Sequence, residues 1–304
     1  MQKNDHALPV YLRADPEQLN EAIASLKAKL NSCTYCPRNC NVDRVSGKKG
    51  ACGAPDGAVI ESAGPHFGEE RELVGRGGSG TIFFPHCNLD CLFCQNWTIS
   101  RGVAAGPPTT IDELAAAMMG LQKRGCHNIN LVSPTPYLYP IAAAIRNAAA
   151  MGLRLPVVYN CGGYENASAL KLLEGFIDIY MPDFKYGGNR EGSLYSGIDD
   201  YFSRAGEALK EMQRQVGDLQ VTADNIAYRG LLVRHLVMPE NISGSEQVAA
   251  FLKREVSANC AVNVMAQYYP AYRAGEYQPL TRRITGAEYK KALDAFRLAG
   301  LRLL

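Results

Sequence analysis

Seven of the ten cysteines fall into two tight groups, Cys33, Cys36, Cys40 and Cys52, then Cys87, Cys91 and Cys94. Thiolates are soft ligands, suited to zinc and to iron–sulfur clusters. The three thiolates of the second group leave one iron of a cubane 4Fe–4S cluster without a protein ligand, and an open iron is a place for chemistry. The alternative there is a zinc site completed from elsewhere, for example by His86. Cys33, Cys36, Cys40 and Cys52 supply four thiolates within twenty residues, enough to close a tetrahedral zinc site or to ligate a second whole cluster, and the spacing does not choose. Such a site is structural or electron-relaying, because no coordination position stays open. A thioredoxin-like dithiol is disfavoured, since no βαβ pattern surrounds the Cys-x2-Cys. Cys126 and Cys260 read as small buried hydrophobes, while Cys161 stays open.

These groups need a scaffold, and the composition bounds it. The chain has 304 residues, 47% of them apolar, with 32 basic against 30 acidic side chains and a formal charge of +2. That length suits about two domains, or one barrel with an appendage. The balanced charge disfavours nucleic acid and acidic membrane surfaces as partners. The start, Met1 to Leu12, contains Asp5, His6 and Pro9 and lacks the apolar core of a signal peptide. The most apolar stretch, Ile141 to Leu155, is interrupted by Arg146, Asn147 and Arg154, which excludes a membrane span there. A cytoplasmic protein is expected, and in that reducing compartment cysteines serve metals or redox chemistry better than disulfides.

Periodicity predicts a helix from about Asp15 to Leu30, with Asp15 as N-cap and Pro16 at the first helical position. Between Asn39 and Gly80 there is little periodicity, as in an irregular module organised by a metal. Beyond it, predicted strands at Thr81–Pro85, Asn128–Ser133, Pro156–Asn160, Ile177–Pro182, Leu231–Met238 and Ala261–Gln267 alternate with helical segments. Three helix starts carry a Ser/Thr-x-x-Glu capping box, at Thr110/Glu113, Ser243/Glu246 and Thr285/Glu288. Alternation of this kind means βαβ units and a parallel sheet, open or curled into a barrel, and in a barrel the chemistry sits at the C-terminal strand ends. The expected division is 1–75, a helix and a cysteine-rich metal module, and 76–304, the α/β body. Gly75–Gly80 is no phosphate loop, because it leads into a strand. Tyr268, Tyr269 and Tyr272, near Arg273, read as a packed strand-end loop, and His127 as a turn residue.

The spacing Cys87-x3-Cys91-x2-Cys94, with the aromatic Phe93 before the last cysteine, resembles the signature of the radical S-adenosylmethionine (SAM) superfamily. The flanking Gly78-Ser79-Gly80-Thr81-Ile82-Phe83-Phe84 and Gln95-Asn96 resemble the branch related to the pyruvate formate-lyase activating enzyme, often labelled PflX-type. The resemblance implies a partial (β/α)6 TIM-like barrel with a small irregular cysteine-rich N-terminal module. It also implies reductive cleavage of SAM to methionine and a 5′-deoxyadenosyl radical, which abstracts hydrogen from a substrate. Under it, Cys87, Cys91 and Cys94 hold the 4Fe–4S cluster and Phe93 contacts the adenine, largely through its backbone.

The family's Gly-Gly-Glu stretch after the second strand, which meets the SAM amino group, is replaced here by Ser133-Pro134-Thr135-Pro136. That role then falls to Ser133, Thr135 or backbone carbonyls. Asn160 and Gly162, in Tyr159-Asn160-Cys161-Gly162-Gly163, occupy a place where the family sets polar and glycine residues near SAM; an ordinary strand-to-helix turn is the alternative. Asp183 and Lys185 resemble an Asp-Leu-Lys segment that positions SAM, with a solvated turn as the plain reading. Arg234, in an apolar strand beside His235, suits a carboxylate in fork geometry or a structural salt bridge. A reductant such as flavodoxin or ferredoxin is the expected partner, with a glycyl-radical enzyme or a peptide as the possible substrate. No ferredoxin-like insert follows the motif, since Gln95 to Pro108 contains no cysteine. The rival readings are a small-molecule modifier, an iron–sulfur protein for electron transfer or sensing, and, for the N-terminal region, a zinc-dependent nucleic-acid module with Arg38, Arg44, Lys48 and Lys49 as its basic face.

Overall fold

A computed structural model of the chain describes residues 8–101 and 106–304. Asp5 and His6, used above against an export signal, lie outside the described residues. The elements follow in the order α1 (Pro16–Ala28), β1 (Ser62–His66), α2 (Arg71–Val74), β2 (Ser79–Phe83), α3 (Trp97–Ser100), α4 (Ile111–Lys123), β3 (Ile129–Val132) and α5 (Leu138–Ala150). Then come β4 (Val157–Cys161), α6 (Ala167–Leu170), β5 (Ile179–Pro182), α7 (Asn189–Ser196), α8 (Tyr201–Val216), β6 (Gln220–Val221), β7 (Ala227–Leu236), α9 (Ser245–Phe251), β8 (Ala261–Met265), α10 (Gly286–Leu298) and β9 (Arg302–Leu303). The strands form one sheet in the order β1-β2-β3-β4-β5-β7-β8-β9, with β6 paired to β7 off this path. Pairing is parallel from β2 to β9, while β1 runs antiparallel to β2 and β6 antiparallel to β7. All six predicted strands are present, shifted by a few residues at their ends. The sheet does not close, so the fold is an open α/β barrel.

Because successive side chains on a strand face opposite ways, each strand feeds two compartments. On β4, Val157, Tyr159 and Cys161 join the large core under the helices, whereas Val158 joins a smaller cluster with Ile179, Met181, Leu232 and Ala261 inside the barrel. Continuing that inward period by two residues reaches Asn160, Asp183 and Arg234. Apolar side chains therefore fill the lower barrel, and polar ones replace them at the C-terminal ends. The register of β7 is held low in the barrel by Gly230, whose φ of +119° and approach to the Asp218 carbonyl (2.4 Å from where a Cβ would sit) admit no side chain.

Helix starts follow local chemistry. Asp15 accepts the Glu17 N–H with Pro16 in the first turn, and α1 buries Leu19 and Leu26. Thr110/Glu113 and Thr285/Glu288 form complete capping boxes. The expected box at Ser243/Glu246 does not form. Gly244 takes the cap position in a left-handed conformation. The Ser243 hydroxyl instead donates to the Leu236 carbonyl and accepts from the Met238 N–H, closing the end of β7, and Glu246 pairs with Lys291. Long-range strand-end contacts thus outcompete the local cap.

The segment from Gly75 to Gly80 runs into β2 as expected, and His127 proves more than a turn residue, since its Nε2 accepts the N–H groups of Arg76 and Gly77. Tyr268 is buried and donates to the Leu280 carbonyl, but Tyr269 and Tyr272 stay partly exposed, Tyr272 stacked on Trp97 at 5.6 Å. No helix among the described residues is long and apolar enough to cross a membrane.

Candidate active site and a second cysteine site

The segment leaving β2 carries Cys87, Cys91 and Cys94 around the mouth of a cavity of about 410 Å³ at the C-terminal strand ends. Small-molecule sites commonly fall in roughly the 300–1,000 Å³ range. The loop is fastened by Asp90 N–H to the Ser196 carbonyl, Leu92 N–H to the Tyr195 carbonyl and Arg273 N–H to the Leu92 carbonyl. Arg101 adds a hydrogen bond to the Leu89 carbonyl and an ion pair with Asp90. Each thiol has a polar neighbour: Cys87 Sγ accepts the Leu89 N–H (3.5 Å), Cys91 Sγ lies 3.0 Å from the Ser196 hydroxyl and Cys94 Sγ 3.2 Å from the Ser100 hydroxyl. Burial pushes the Cys87 thiol up to about 12 and raises Cys91 as well. Buried thiols of this kind become thiolates on binding a cationic centre, which fits the donor set of a metal cluster.

Around the same cavity stand Asn160, Gly162, Asp183, Lys185, Arg234, Ser133 and Phe93. Asp183 bridges two cations: Oδ2 accepts from Lys185 Nζ at 2.6 Å and Oδ1 from Arg234 Nε at 3.0 Å. Burial raises the Asp183 carboxyl, but Lys185 and Arg234 outweigh it and hold it below the usual carboxylate value. Arg234 also donates to Asn160 Oδ1 at 2.6 Å and lies 3.5 Å from the Glu69 carboxylate. Its fork thus meets Asp183 and Asn160, a buried salt bridge and hydrogen bond, while the residue also lines the cavity. Asp183 and Lys185 are not a solvated turn; their side chains are 18% and 14% exposed.

Gly162 lies against the motif loop: a Cβ there would meet Leu89 Cδ1 at 2.8 Å and push that side chain aside. Gly163, at φ +83°, faces the Asp183 carbonyl, 2.1 Å from a Cβ position. Tyr201, unnoticed in the sequence, ties the two strand ends together, donating to the carbonyls of Gly162 (2.9 Å) and Asp183 (3.1 Å) and accepting the Lys185 N–H. Phe93 packs edge-on against Tyr186 and tilted against Tyr268, so its ring is spent on the core. Two non-glycine residues beside the cavity are left-handed, His86 at φ 71° and Ser133 at φ 59°. Such positions are uncommon and concentrate at functional sites.

Thr135 stands elsewhere. Its hydroxyl donates to Glu165 Oε1 at 2.7 Å, and its side lines the void of the other cysteine group, so it is not among the cavity's polar groups. A carboxylate does reach the cavity from the loop after β1. Glu69 lines the cavity with its side chain 9% exposed, and burial raises its carboxyl against the pull of Arg234. The only sequence signal was an acidic pair, Glu69-Glu70, in an irregular stretch.

Cys33, Cys36, Cys40 and Cys52 surround a separate, smaller space shared with Tyr35, Arg38, Arg44 and Asn88. Arg44 is buried, lies over the Tyr35 ring and donates to the Pro55 carbonyl. Arg38 donates to the Asn88 carbonyl at 2.6 Å. Both arginines thus face inward, which removes half of the basic face that a nucleic-acid module needed. Among the described residues no three Cys, His, Asp or Glu side chains converge on a single-ion position.

Cys161 is buried, and its thiol, raised well above the ordinary value by burial, neighbours Glu165. Cys126 and Cys260 are buried as expected. His235 faces away from the cavity, bonded to the Phe184 carbonyl and the Ser245 hydroxyl.

An open parallel barrel carrying three cysteines on the loop after its first parallel strand, beside a charged cavity, defines a class of cluster-dependent enzymes. A family model, the Radical SAM superfamily, matches residues 81–212. Uncharacterized protein MJ0674 of Methanocaldococcus jannaschii is 32% identical over 289 residues, covering 92% of this chain and 78% of that protein. The chain belongs to the radical SAM superfamily. Among solved structures it is similar to a radical SAM methyltransferase from Sphaerobacter thermophilus, with 15% identity, a TM-score of 0.50 and coverage of 74% of this chain and 65% of that one, a likeness of fold alone. HydG, a maturase of the FeFe-hydrogenase, aligns over 95% of this chain and 63% of its own at 13% identity and a TM-score of 0.47. The chain thus spans somewhat under two thirds of these two structures' lengths.

Proposed function

We propose that Cys87, Cys91 and Cys94 anchor the 4Fe–4S cluster of this radical SAM enzyme, that SAM occupies the adjoining cavity, and that the hydrogen abstracted comes from a glycyl residue of a partner enzyme. The observation that carries the cofactor assignment is the shared cavity, lined both by three thiols and by the Asp183–Lys185–Arg234 ladder. When bound, the reduced cluster and SAM supply a 5′-deoxyadenosyl radical. The chain's own residues bind and orient. Glu69 receives the SAM amino group, in the place of the carboxylate missing after β3, with Ser133 beside it. Lys185, held by Asp183, faces the SAM carboxylate, and Arg234 fixes Asp183 and Asn160. The Phe93 backbone meets the adenine, and Gly162 lets the motif loop close over the strand ends. Burial of these groups excludes water from a reactive intermediate.

The glycyl substrate is supported by the resemblance of the motif's flanks and of Asp183-Phe184-Lys185 to the activating enzymes. A low-potential one-electron donor, flavodoxin or ferredoxin, supplies the electron, and we place the enzyme in the cytoplasm, where such donors and free thiols persist. The second cysteine group holds either a further cluster or zinc in this reading.

The anaerobically reconstituted, reduced protein is expected to release 5′-deoxyadenosine from SAM. With a glycyl-radical enzyme added, electron paramagnetic resonance is expected to show a backbone radical on that partner. Release of 5′-deoxyadenosine without any such radical, but with a modified peptide or small molecule, overturns the glycyl assignment and leaves the cofactor assignment standing. A filled cluster whose spectrum ignores SAM overturns both.

A further inference from the structure

Glu165 is a buried acid without a cation beside it. It is 2% exposed, and no basic side chain pairs with it among the described residues. Its partners are donors from two strand ends. Oε1 accepts the Thr135 hydroxyl at 2.7 Å, Oε2 accepts the Tyr159 hydroxyl at 3.0 Å, and the Cys161 thiol lies alongside. Burying a carboxyl costs free energy unless its oxygens are bonded, and burial raises this one to about 7 against the pull of those three groups. Both oxygens are spent on holding neighbours in place.

Those neighbours form the reverse side of the SAM cavity. Tyr159 and Cys161 flank Asn160 on β4 and join the core under the helices, so Asn160 between them faces inward and lines the cavity. Thr135 stands two residues beyond Ser133, which lines the cavity as well. The two inward residues are themselves joined, the Ser133 N–H donating to the Asn160 carbonyl at 2.9 Å. One carboxyl thus grips from behind both strand ends that present Ser133 and Asn160.

Ser133 needs such a grip. Its φ of 59° lies in the left-handed region, where a side chain costs energy and glycine does not. Pro134 follows it, and the residue before a proline favours extended backbone. Strain of this kind persists only where the surroundings over-determine it. Here hydrogen bonds do so on both sides, from the Ser133 N–H to Asn160 and from the Thr135 hydroxyl to Glu165. A glycine would take the same conformation freely, so a serine at this place implies a use for its side chain. The Ser133 hydroxyl is claimed by no other group among the described residues.

We infer that Glu165 is a positioning residue for SAM: through Thr135 it holds the strained turn at Ser133, and through Tyr159 and Cys161 it holds the end of β4 at Asn160, so that both side chains are aimed into the cavity before SAM arrives. The inference rests on the SAM assignment made above. Glu165 touches neither SAM nor the cluster. It acts by pre-organisation, which raises affinity by lowering the ordering cost of binding. Thr135, which does not reach the cavity, takes part in the site from its far side.

The test reads SAM binding to the reconstituted full chain by calorimetry and by the change SAM makes in the paramagnetic resonance of the reduced cluster, alongside thermal unfolding and metal content. Thr135→Val keeps the shape and removes the donated hydrogen bond. It is expected to weaken SAM binding about fivefold with metal content unchanged, and Thr135→Ser to restore the affinity. Should the valine variant not fold, Glu165→Gln, which keeps the volume and one acceptor oxygen, is expected to weaken binding in the same way. Ser133→Gly separates positioning from mere structure. It relieves the left-handed strain, so it is expected to unfold at or above the wild-type temperature and yet bind SAM several-fold more weakly. Unchanged SAM affinity in Thr135→Val or Glu165→Gln overturns the inference and leaves the SAM assignment standing, as does unchanged affinity in Ser133→Gly. Loss of the N-terminal metal together with SAM affinity in Thr135→Val also overturns it, by assigning Thr135 to the second cysteine group. A wild type that takes up a cluster but no SAM refutes the SAM reading and this inference with it.

Discussion

The two cysteine groups of this chain use the same ligand in opposite surroundings. Cys87, Cys91 and Cys94 border a cavity also lined by Asn160, Asp183, Lys185 and Arg234. Cys33, Cys36, Cys40 and Cys52 border a smaller space also lined by Tyr35, Arg44 and Asn88. The first arrangement leaves a charged space of about 410 Å³ beside the thiols, while the second leaves only about 20 Å³. Cysteine count alone says little about chemistry; the two groups differ in what lines the space beside them.

The sharpest way to break this contrast is Cys91→Ala, expected to abolish 5′-deoxyadenosine release while the N-terminal metal content stays unchanged; loss of both metals together would merge the two sites into one. Next in size is Asp183→Asn, which leaves Lys185 and Arg234 without their shared carboxylate. Breaking a buried pair costs roughly 3 kcal/mol, so thermal unfolding of the variant should move down markedly and SAM binding weaken with it. A variant as stable as the wild type would show that the ladder is not a unit. Glu69→Gln is milder: losing one charge-assisted hydrogen bond, worth about 1.5 kcal/mol, should raise the KM for SAM about tenfold. An unchanged KM would return the amino group to Ser133 or to backbone carbonyls.

A control for both sites lies outside them, and leaves SAM cleavage untouched. Burial holds the His235 imidazole down at about 4, and it stays neutral in the fold. The unfolded chain binds that proton near the ordinary value of about 6.5, so the stability due to neutral His235 is full above that pH and drains away as pH falls toward 4. His235→Gln should flatten that part of the stability–pH curve, read by thermal unfolding between those limits, without changing cluster content; an unaltered slope would assign it to other groups.

Much of this was legible in the sequence, for identifiable reasons. The six strands were visible because each is a short apolar run between turn signals, and Cys87-x3-Cys91-x2-Cys94 because a ligand set on one loop has fixed spacing. Asp183 was singled out through the resemblance of Asp183-Phe184-Lys185 to the activating enzymes, and Arg234 as a charge within an apolar strand. Glu69 and Tyr201 were not, since each reaches the site from a loop or helix start and only the fold brings it there. Thr135 misled because its place in sequence says nothing of which side of the β3–α5 turn it faces. Ser243 misled because a tertiary partner, the Leu236 carbonyl, outbid the local cap.

The alternation along β7 makes the site sensitive to chain length far from the chemistry. Arg234 points inward and His235 outward only while Gly230 stays seated against Asp218. Inserting or deleting one residue between them would exchange the two, delivering an imidazole to the mouth and a guanidinium to the apolar layer beneath α10. Point replacements of either residue act locally, but a single-codon change in that short stretch rewrites the whole wall, so relatives of this chain should vary there in identity and hardly at all in spacing.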